Sequence, residues 1–425
     1  MDKKQIIYFF VFLIFSVFFA EKIFFADRDF KAGLTDGLRD FTQKENSPSF
    51  LKSFESSVEE MKSARVSFLE VNLEEMTVRI YKKGGLAGEF PIIAKGNKDK
   101  WGGSAAGIFK IESGNKISFS NISKVYMPFS LHYFGKYYIH GEPYYPGGEE
   151  LISRYSGGCL RLRNEDAEAL YEAADLEMPV AVIPKKREKE NFKFNSSVPP
   201  EISAGSYLVA DFSTGRILSE KNADLSWPAG FLARLMLSVT VADTINLERQ
   251  IESGGRSIRV IEFFYPLLTG SSEEPVSVLS SFLGENKTLR LMNQQAQAML
   301  MENSRFNSLQ SQDLQNTSTA RDLFYLAEYI LTSKPPIFKI SKGEKVETFG
   351  PTFLDLKNLE NKNIFFRDPS FLGGMTDFSG QGYSALFAFE IKGRILIFSI
   401  LGSENLKEDT QLLYSWIFSG LHESF

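Results

Sequence analysis

A long alternation of apolar and polar residues, beginning at Val66, restricts the fold more than any other feature of this sequence. The stretch is "VSFLEVNLEEMTVRIYKKGGLAGEFPIIAKG", and clusters of Gly, Asn and Lys interrupt it. A period of two is that of β-strands, and the interruptions are typical of hairpin turns. Further strands are predicted in "AGIFKIES", "KYYIHG" and "PVAVI", and one helix in "NEDAEALYEAADL". Residues 65–184 are therefore predicted to form a mainly-β domain.

The N-terminus indicates where this domain would be located. "MDKKQIIYFFVFLIFSVFFAEKIFF" begins with Lys3 and Lys4, and an apolar run then extends from Ile6 to Ala20 with a short continuation. A membrane-spanning helix needs about 20 apolar residues. We expect residues 1–26 to be an uncleaved signal anchor, a transmembrane helix with its lysines inside and the remainder of the chain exported. A cleaved signal peptide and a buried N-terminal helix are the alternatives.

Cleavage is the less favoured of these because a signal peptidase site needs small residues at positions −3 and −1. Ala20 and Ala26 could serve at −1, but Phe18 and Phe24 would then stand at −3. The expected location is the cell membrane, with a single pass and with both following domains on the extracytoplasmic side.

Two polar segments separate the predicted units. Residues 27–64 are typical of a stalk with one or two weak helices. Residues 185–200 fall in "PKKREKENFKFNSSVPPE", whose charged, Ser- and Pro-containing composition is that of a linker. Its basic run is better explained by a solvated linker than by binding to lipid or cell wall.

Residues 201–425 are predicted to form a second, α/β domain. "SYLVADFSTGRILSEKN" is typical of a β-hairpin, and helical patterns follow near 229–244, 286–303 and 318–333. Two strands, "YSALFAFEI" and "RILIFSIL", precede a last helix in "LKEDTQLLYSWIFSGL".

The chain has a single cysteine, Cys159, among its 425 residues. One cysteine excludes an intramolecular disulfide and a Cys-rich zinc site. A net charge of −5 gives no reason to expect a nucleic-acid partner. In an exported protein a lone cysteine is an inert buried side chain, an intermolecular link or a reactive thiol. The chemistry of a thiol needs no metal or organic cofactor, and none is expected.

The neighbours of Cys159 favour a reactive thiol. Only the thiolate is nucleophilic, so a base must lie beside it, and His140 is of the right type because its ordinary pKa lies near neutrality. The glycines of "SGGC" permit a tight turn that can present backbone N–H groups to an oxyanion. Arg161 could hold a substrate carboxylate.

The motif H-G-x(14)-S-x-G-C-[LI]-R resembles that of the L,D-transpeptidase (YkuD-like) family. The residues that match it are His140, Gly141, Ser156, Gly158, Cys159, Leu160 and Arg161. The opening strands, the segment "SAAGIFKI" and the helix in "RNEDAEALY" are also similar to the family. The resemblance covers about Val66 to Ile183, which is a whole domain.

This resemblance implies that Cys159 is the nucleophile and His140 the general base of an enzyme acting on peptidoglycan stem peptides. Cys159 would attack the third residue of a tetrapeptide, expel the terminal D-Ala and pass the acyl group to an amine of another stem, which makes a 3→3 cross-link. The resemblance also implies substrate-binding and oxyanion residues. The former are Arg161, Ser156 and Gly141, and the latter are Gly157 and Gly158.

Two other functions stay open. Transfer of the acyl group to water would make the enzyme an L,D-carboxypeptidase, and the residues do not distinguish water from amine. If both domains were non-catalytic, the chain would be a cell-wall-binding scaffold, but the combination of nucleophile, base and arginine in the first domain argues against this.

The chain departs from the family's pattern in two places. Gly157 replaces a second His that the motif often has, which leaves His140 as the base, and "GGSAAG" replaces "TPTPTG", which puts the contacts of a substrate lid in doubt. His132 is assigned no role. Four tyrosines either line the cleft or form an ordinary packed cluster: Tyr137, Tyr138, Tyr144 and Tyr145.

The second domain resembles the D-Ala-D-Ala carboxypeptidases of the penicillin-binding-protein family, in its opening hairpin and in two helices. That family needs S-x-x-K, S-x-N and K-T-G. These motifs fall here on "FLAR", "SSE" and "MTD", and the residues in place of the required ones are Phe231, Arg234, Glu273, Met375 and Asp377. Because an arginine cannot act as a neutral base, the domain is predicted to be a pseudoenzyme.

A retained shape without catalysis has two interpretations. The second domain could bind wall peptides or a cell-wall protein partner and so position them for Cys159. It could also be a structural module that spaces the first domain from the membrane. The expected partners are therefore stem peptides, the cytoplasmic membrane through the N-terminal helix and a possible cell-wall protein.

Overall fold

The computed structural model describes residues 49–195, 198–270, 274–310, 314–347 and 359–423. The predicted signal anchor (1–26) and most of the predicted stalk lie outside these ranges. No helix within them combines the length and the apolar character needed to cross a membrane. Phe50–Phe425 form one compact unit, and the end of the predicted stalk contributes helix α1 (Phe54–Ser63), capped by the side chain of Ser53.

The first part of this unit is rich in β-structure, as the alternating pattern predicts. Its strands are β1 (Phe68–Asn72), β2 (Thr77–Lys82), β3 (Gly85–Pro91), β4 (Gly107–Lys110), β5 (Ser113–Ser120), β6 (Val125–Phe134), β7 (Tyr137–His140), β8 (Leu160–Arg161) and β9 (Pro179–Ile183). One helix, α2 (Asn164–Ala173), follows β8. We call this region the β-rich part.

Two sheets build the β-rich part. One has the order β3-β2-β1-β9-β4, and the other has the order β5-β6-β7-β8. Both contain one parallel pair, β1 with β9 and β7 with β8. Inward-facing side chains such as Leu69, Val71 and Leu160 are buried between the sheets and α2. The β7–β8 pair is the one that matters for the site, because it brings the end of the histidine strand beside the strand that follows the cysteine.

The second part mixes helices and strands. Its elements are β10 (Phe192–Phe194), β11 (Ser206–Asp211), β12 (Ile217–Lys221), β13 (Trp227–Pro228), α3 (Phe231–Thr244), β14 (Gln250–Ser253), β15 (Arg256–Arg259), α4 (Val260–Thr269), α5 (Glu274–Leu283), α6 (Glu285–Ala298), β16 (Thr317–Ser318), α7 (Ala320–Ser333), α8 (Pro336–Lys342), β17 (Phe371–Phe378), β18 (Tyr383–Ile391), β19 (Arg394–Ser403), α9 (Leu406–Gly420) and β20 (Leu421–Glu423). We call it the α/β part.

An antiparallel sheet of order β12-β11-β19-β18-β17 is the centre of the α/β part. Helix α9 covers one face through Leu413 and Ile417, and α7 packs on the other face. The predicted α/β character is therefore confirmed. Strand β10, which falls within the predicted linker, pairs with β20 at the end of the chain. Arg187, also in that segment, forms an ion pair of 2.8 Å with Glu328 of α7.

The two parts are packed closely against each other. Gly103, Gly107 and Gly135 of the β-rich part each lie against a backbone carbonyl oxygen near the C-terminal end of a helix of the α/β part. Those oxygens belong to Ser333, Ala298 and Asp243. A Cβ at any of the three glycines would approach its oxygen to under 3.0 Å, so only glycine permits this docking.

Candidate active site

The predicted nucleophile and base open into the same cavity. His140 is the last residue of β7, and Cys159 directly precedes β8. The parallel register places Ile139 opposite Leu160 and His140 opposite Arg161. The cavity, of about 360 Å³, is lined by His140, Cys159 and Arg161, and also by Ser156 and Gly157. Residues far apart in the sequence are thus brought together by one strand pairing.

His140 is buried and held in one tautomer. It is 2% exposed, and its Nδ1 lies 2.6 Å from the carbonyl oxygen of Gly141. Since a carbonyl can only accept a hydrogen bond, Nδ1 carries the proton and Nε2 keeps its lone pair. Burial, together with a smaller effect of the Arg161 charge, lowers the pKa of His140 to about 4, against the opposing effect of the Gly141 bond. The imidazole is therefore a neutral base at pH 7.

Gly141 supports this histidine with its backbone. Its N–H donates to the carbonyl of Pro128 at 2.8 Å, and its own carbonyl accepts from His140. Asn164 leaves no room for a side chain here, since its Oδ1 is directly beside the position of a Cβ. The same Oδ1 accepts from the N–H of Glu142 at 2.9 Å. Gly141 is predicted from the sequence as a substrate-binding residue; the structure places it behind the imidazole.

The thiol of Cys159 is half-buried and lies among backbone groups. It donates to the carbonyl oxygen of Lys136 at 3.6 Å. Burial raises the pKa of the thiol, while the N–H of Tyr138 and the charges of Arg161 and Lys136 act in the opposite direction. The resting pair is therefore a neutral thiol and a neutral imidazole, not an ion pair.

Ser156 shapes the loop before the cysteine. Its hydroxyl donates to the carbonyl of Cys159 at 2.5 Å and accepts from the N–H of Gly158 at 3.0 Å. Gly158 has a φ of +120°, a conformation that other residues rarely adopt, and the ring of Tyr137 occupies the space of any Cβ. The N–H of Gly158 is therefore already engaged by Ser156, while Gly157 lies at the cavity wall.

Arg161 is a buried cation with no acidic partner in the part of the chain that the structure describes. It is 7% exposed, and its Nη1 donates to the carbonyl of Ser153 at 3.3 Å. Its Nε has no hydrogen-bond partner among the described residues, and no described carboxylate is among the groups that shift its pKa. Burial lowers the pKa of Arg161, and the thiol opposes this. A desolvated guanidinium in this state is suited to a carboxylate ligand.

The α/β part supplies one wall of the cavity, which the sequence did not predict. Asn246, Leu247 and Glu248 line it, and they follow the end of α3 in the sequence. Lys136, in the turn before β7, lines it as well. No motif marks these residues, because their role depends on how the two parts pack.

Three of the four tyrosines near the motif are packing residues, while Tyr145 is exposed. Of the described residues that line the cavity, none is a tyrosine. Tyr137 is fully buried, Tyr138 packs on His132, and Tyr144 packs on Tyr126. His132 itself lies between Glu112, at 3.1 Å, and the carbonyl of Gly135, at 3.0 Å.

The positions of the penicillin-binding-protein motifs meet at a second cavity, of about 580 Å³. Arg234 of α3 lines it together with Met375, Thr376 and Asp377 of β17. Arg234 donates to the carbonyl of Gly270 at 3.1 Å. Phe231 is the first residue of α3, and Glu273 lies outside the described residues. The fold thus brings the positions of the first and third penicillin-binding-protein motifs together. These positions lack the serine and the lysine that acyl transfer in that family requires.

Comparisons with known proteins find one family model over the β-rich part and several curated relatives. Residues 67–182 match the family described as YkuD, the L,D-transpeptidase catalytic domain. The chain is 28% identical to a D-alanyl-D-alanine endopeptidase of Pseudomonas aeruginosa over 142 residues, 29% of this chain and 46% of that protein. It is 24% identical to the D-alanyl-D-alanine carboxypeptidase DacD of Escherichia coli over 263 residues, 53% of this chain and 66% of that protein. The chain thus spans about half to two thirds of these relatives.

Solved structures similar to part of the chain include penicillin-binding protein 6B from Escherichia coli, with a TM-score of 0.46 and 21% identity over 54% of this chain and 81% of that one. Another is penicillin-binding protein D2 from Listeria monocytogenes, with a TM-score of 0.44 and 23% identity over 52% of this chain and 100% of that one. Residues 67–182 are an L,D-transpeptidase catalytic domain of the YkuD family, and a further part of the chain is homologous to D-alanyl-D-alanine carboxypeptidases.

Proposed function

We propose that this protein is a cysteine-dependent L,D-transpeptidase that forms 3→3 cross-links between peptidoglycan stem peptides. The observation that carries the proposal is the pairing of Cys159 with a buried, neutral His140 at one cavity, with Nδ1 of the imidazole bound to Gly141 and Nε2 left to accept a proton. The family of residues 67–182 agrees with this chemistry.

Acylation begins with removal of the thiol proton by Nε2 of His140. The sulfur of Cys159 attacks the carbonyl carbon of the third residue of a tetrapeptide and forms a tetrahedral oxyanion. Collapse of this intermediate breaks the C–N bond to the terminal D-Ala, whose nitrogen takes the proton from the imidazolium. The products of this step are a thioester on Cys159 and free D-Ala.

Transfer then regenerates the thiol. The side-chain amine of a second stem attacks the thioester carbon, gives a proton to His140 and forms an amide bond. The C–S bond breaks, and the thiolate takes that proton back. If water were the acceptor, the same steps would give a tripeptide acid instead of a cross-link.

Two further groups have roles in the proposal. Arg161 binds the carboxylate of the donor, since it is a buried cation whose Nε has no hydrogen-bond partner among the described residues. The N–H of Gly157 is the better candidate for an oxyanion donor, because the N–H of Gly158 is engaged by Ser156. Ser156 acts by holding the loop.

The substrate sets the location of the protein. Stem peptides are found outside the cytoplasmic membrane, so both parts would act on the extracytoplasmic side, with the apolar N-terminus as the anchor. The α/β part, with Arg234 and Phe231 in place of the lysine and serine, takes no part in acyl transfer in this proposal.

Product analysis tests the reaction. The purified full-length chain is incubated with a tetrapeptide donor and an amine acceptor, and the products are identified by mass. A cross-linked product and D-Ala, both lost in Cys159→Ala, are expected. A tripeptide acid without cross-link would identify water as the acceptor, and D-Ala release that survives in Cys159→Ala would overturn the assignment of the nucleophile.

A further inference from the structure

The end of helix α3 in the α/β part holds a short segment of the β-rich part. The backbone carbonyl of Asp243 accepts from the N–H of Lys136 at 3.1 Å. The Lys136 ammonium donates to the carbonyl of Ala242 at 2.7 Å and to that of Ile245 at 3.4 Å. The positive charge of Lys136 interacts favourably with the partial negative charge at the C-terminal end of helix α3. Tyr137 adds a side-chain bond, with its hydroxyl 2.6 Å from Oδ1 of Asp243.

Asp243 is itself fixed from several directions. It is fully buried, and its Oδ1 pairs with the ammonium of Lys334 at 3.0 Å. Its Oδ2 accepts from the hydroxyl of Tyr329 and from the side-chain amide of Gln295. A buried carboxylate with all these partners is rigid, since removal of any one leaves a desolvated charge less well compensated.

The segment held in this way is also the one that surrounds the thiol. The carbonyl of Lys136 accepts from Sγ of Cys159, and the N–H of Tyr138 bonds to the same sulfur. The ring of Tyr137, between them, lies against Gly158 and fills the space beneath the loop. The segment therefore has the thiol on one side and α3 on the other.

We propose that the α/β part serves as an intramolecular support for the catalytic thiol, with Asp243 and Tyr137 as positioning residues for Cys159. This inference rests on the proposed function, in which Cys159 is the nucleophile. The inference assigns a function to the α/β part, whose motif positions lack the serine and lysine for acyl transfer. A displacement of a reacting group by about 1 Å costs roughly 100-fold in rate, so the anchoring of Lys136 and Tyr137 matters for turnover.

The groups around the Cys159 thiol determine how its pKa would change if the segment 136–138 lost its contacts with α3. The groups whose charges act on the thiol, or that respond to its charge, are Tyr133, Lys136, Tyr138 and Arg161. The other titratable groups that line its cavity are Lys100, His140, Glu248 and Glu347. The Tyr138 N–H and the Lys136 ammonium both lower the pKa of the thiol. Loss of the anchor weakens both effects, so the thiol would ionise at higher pH and react more slowly at neutral pH.

A matched pair of tyrosine variants tests this in the full-length chain. Tyr137→Phe removes the hydroxyl that joins the two parts. Tyr207→Phe removes a buried hydroxyl whose hydrogen bond is to Ser219, within the α/β part, and not to Asp243. The rate of iodoacetamide alkylation of the single cysteine is followed against pH, with the melting temperature as a check of folding. We expect Tyr137→Phe to shift the profile to higher pH and to slow alkylation at pH 7 about tenfold. We expect Tyr207→Phe to stay within about twofold of the parent.

A second pair keeps the test decisive if a variant unfolds. Asp243→Asn is compared with Asp322→Asn, which changes another buried carboxylate that bonds only within the α/β part. A shifted profile in Asp243→Asn alone supports the inference. Equal profiles within both pairs would overturn it, while dependence of acylation on Cys159 would still support the proposed function. Full acylation of Cys159→Ala by the donor would instead refute the proposed function.

Discussion

The Nδ1 of His140 lies 2.6 Å from the carbonyl oxygen of Gly141, and this contact decides what the imidazole can do. With the proton on Nδ1, the lone pair of Nε2 is available to the thiol of Cys159, which opens into the same cavity. Burial keeps the ring neutral, so the pair is set for general-base chemistry instead of a preformed thiolate.

Activity should therefore persist far into the acid range. Because the pKa of His140 is lowered to about 4, the base stays unprotonated down to that pH and is lost only below it. We expect kcat/KM for donor acylation to be level from pH 7 to about pH 5 and to fall as the pH drops through about 4. A pH–rate profile checks this. An acid limb with its midpoint near the ordinary histidine value of about 6.5 would contradict it.

Gly141 should tolerate no side chain. In Gly141→Ala the new methyl would meet Oδ1 of Asn164, so the carbonyl that holds the imidazole would shift. We expect kcat to fall about 100-fold or more, as for other misplaced catalytic groups. Gly147→Ala is the control, because nothing lies within 4 Å of a Cβ there. Similar kcat values for the two variants would show that the Gly141 backbone does not position His140.

The docking of the two parts should depend on Gly103. A Cβ at this position would press on the carbonyl oxygen of Ser333, and overpacking of this kind costs about 1–3 kcal/mol. We expect Gly103→Ala to lower the free energy of unfolding by that amount. Gly85→Ala, whose Cβ would have its nearest neighbour at 3.6 Å, should leave it almost unchanged. Urea unfolding of both variants measures the difference, and equal stability would mean that this contact is not tight.

Arg161 should recognise the donor by its carboxylate. In Arg161→Gln we expect KM for a carboxylate-terminated tetrapeptide to rise about tenfold or more, because a charge-assisted contact is lost. The KM for the same peptide with an amidated terminus should change little. The ratio of the two constants in parent and variant is the measurement. An equal rise for both peptides would indicate that Arg161 only supports the loop through Ser153.

Loss of Arg161 should not destabilise the protein strongly. The guanidinium is buried without an acid among the described residues, so its removal relieves a desolvated charge that no ion pair offsets. We expect the melting temperature of Arg161→Gln to be equal to or above that of the parent. A large decrease would mean that the bond to the Ser153 carbonyl contributes more than the desolvation removes.

The sequence predicted the parts of the molecule that depend on local pattern. The alternation after Val66 gave the β-rich part, and the spacing of His140 and Cys159 predicted that they would share a site. Both are set by strand periodicity and by one motif. The prediction for Gly141, Ser156 and Gly158 was less specific. A sequence motif does not distinguish a residue that contacts the substrate from one that positions a catalytic residue.

Contacts between the two parts could not be predicted. Lys136 and Leu247 line the cavity only because α3 ends beside the turn before β7. Asp243 is an ordinary helix residue in the sequence, and its partners come from three other elements. Such contacts depend on tertiary packing, which leaves no periodic pattern along the chain.

Intact mass after incubation of the full-length chain with a carbapenem tests the central claim most directly. The similarity to L,D-transpeptidases implies that such a compound acylates Cys159. The account predicts one adduct on the parent and none on Cys159→Ala, since Phe231 and Arg234 stand in the α/β part where the motif would have its serine and lysine. An adduct that persists in Cys159→Ala would place the reactive group elsewhere, and a parent that remains unmodified would contradict a competent thiol.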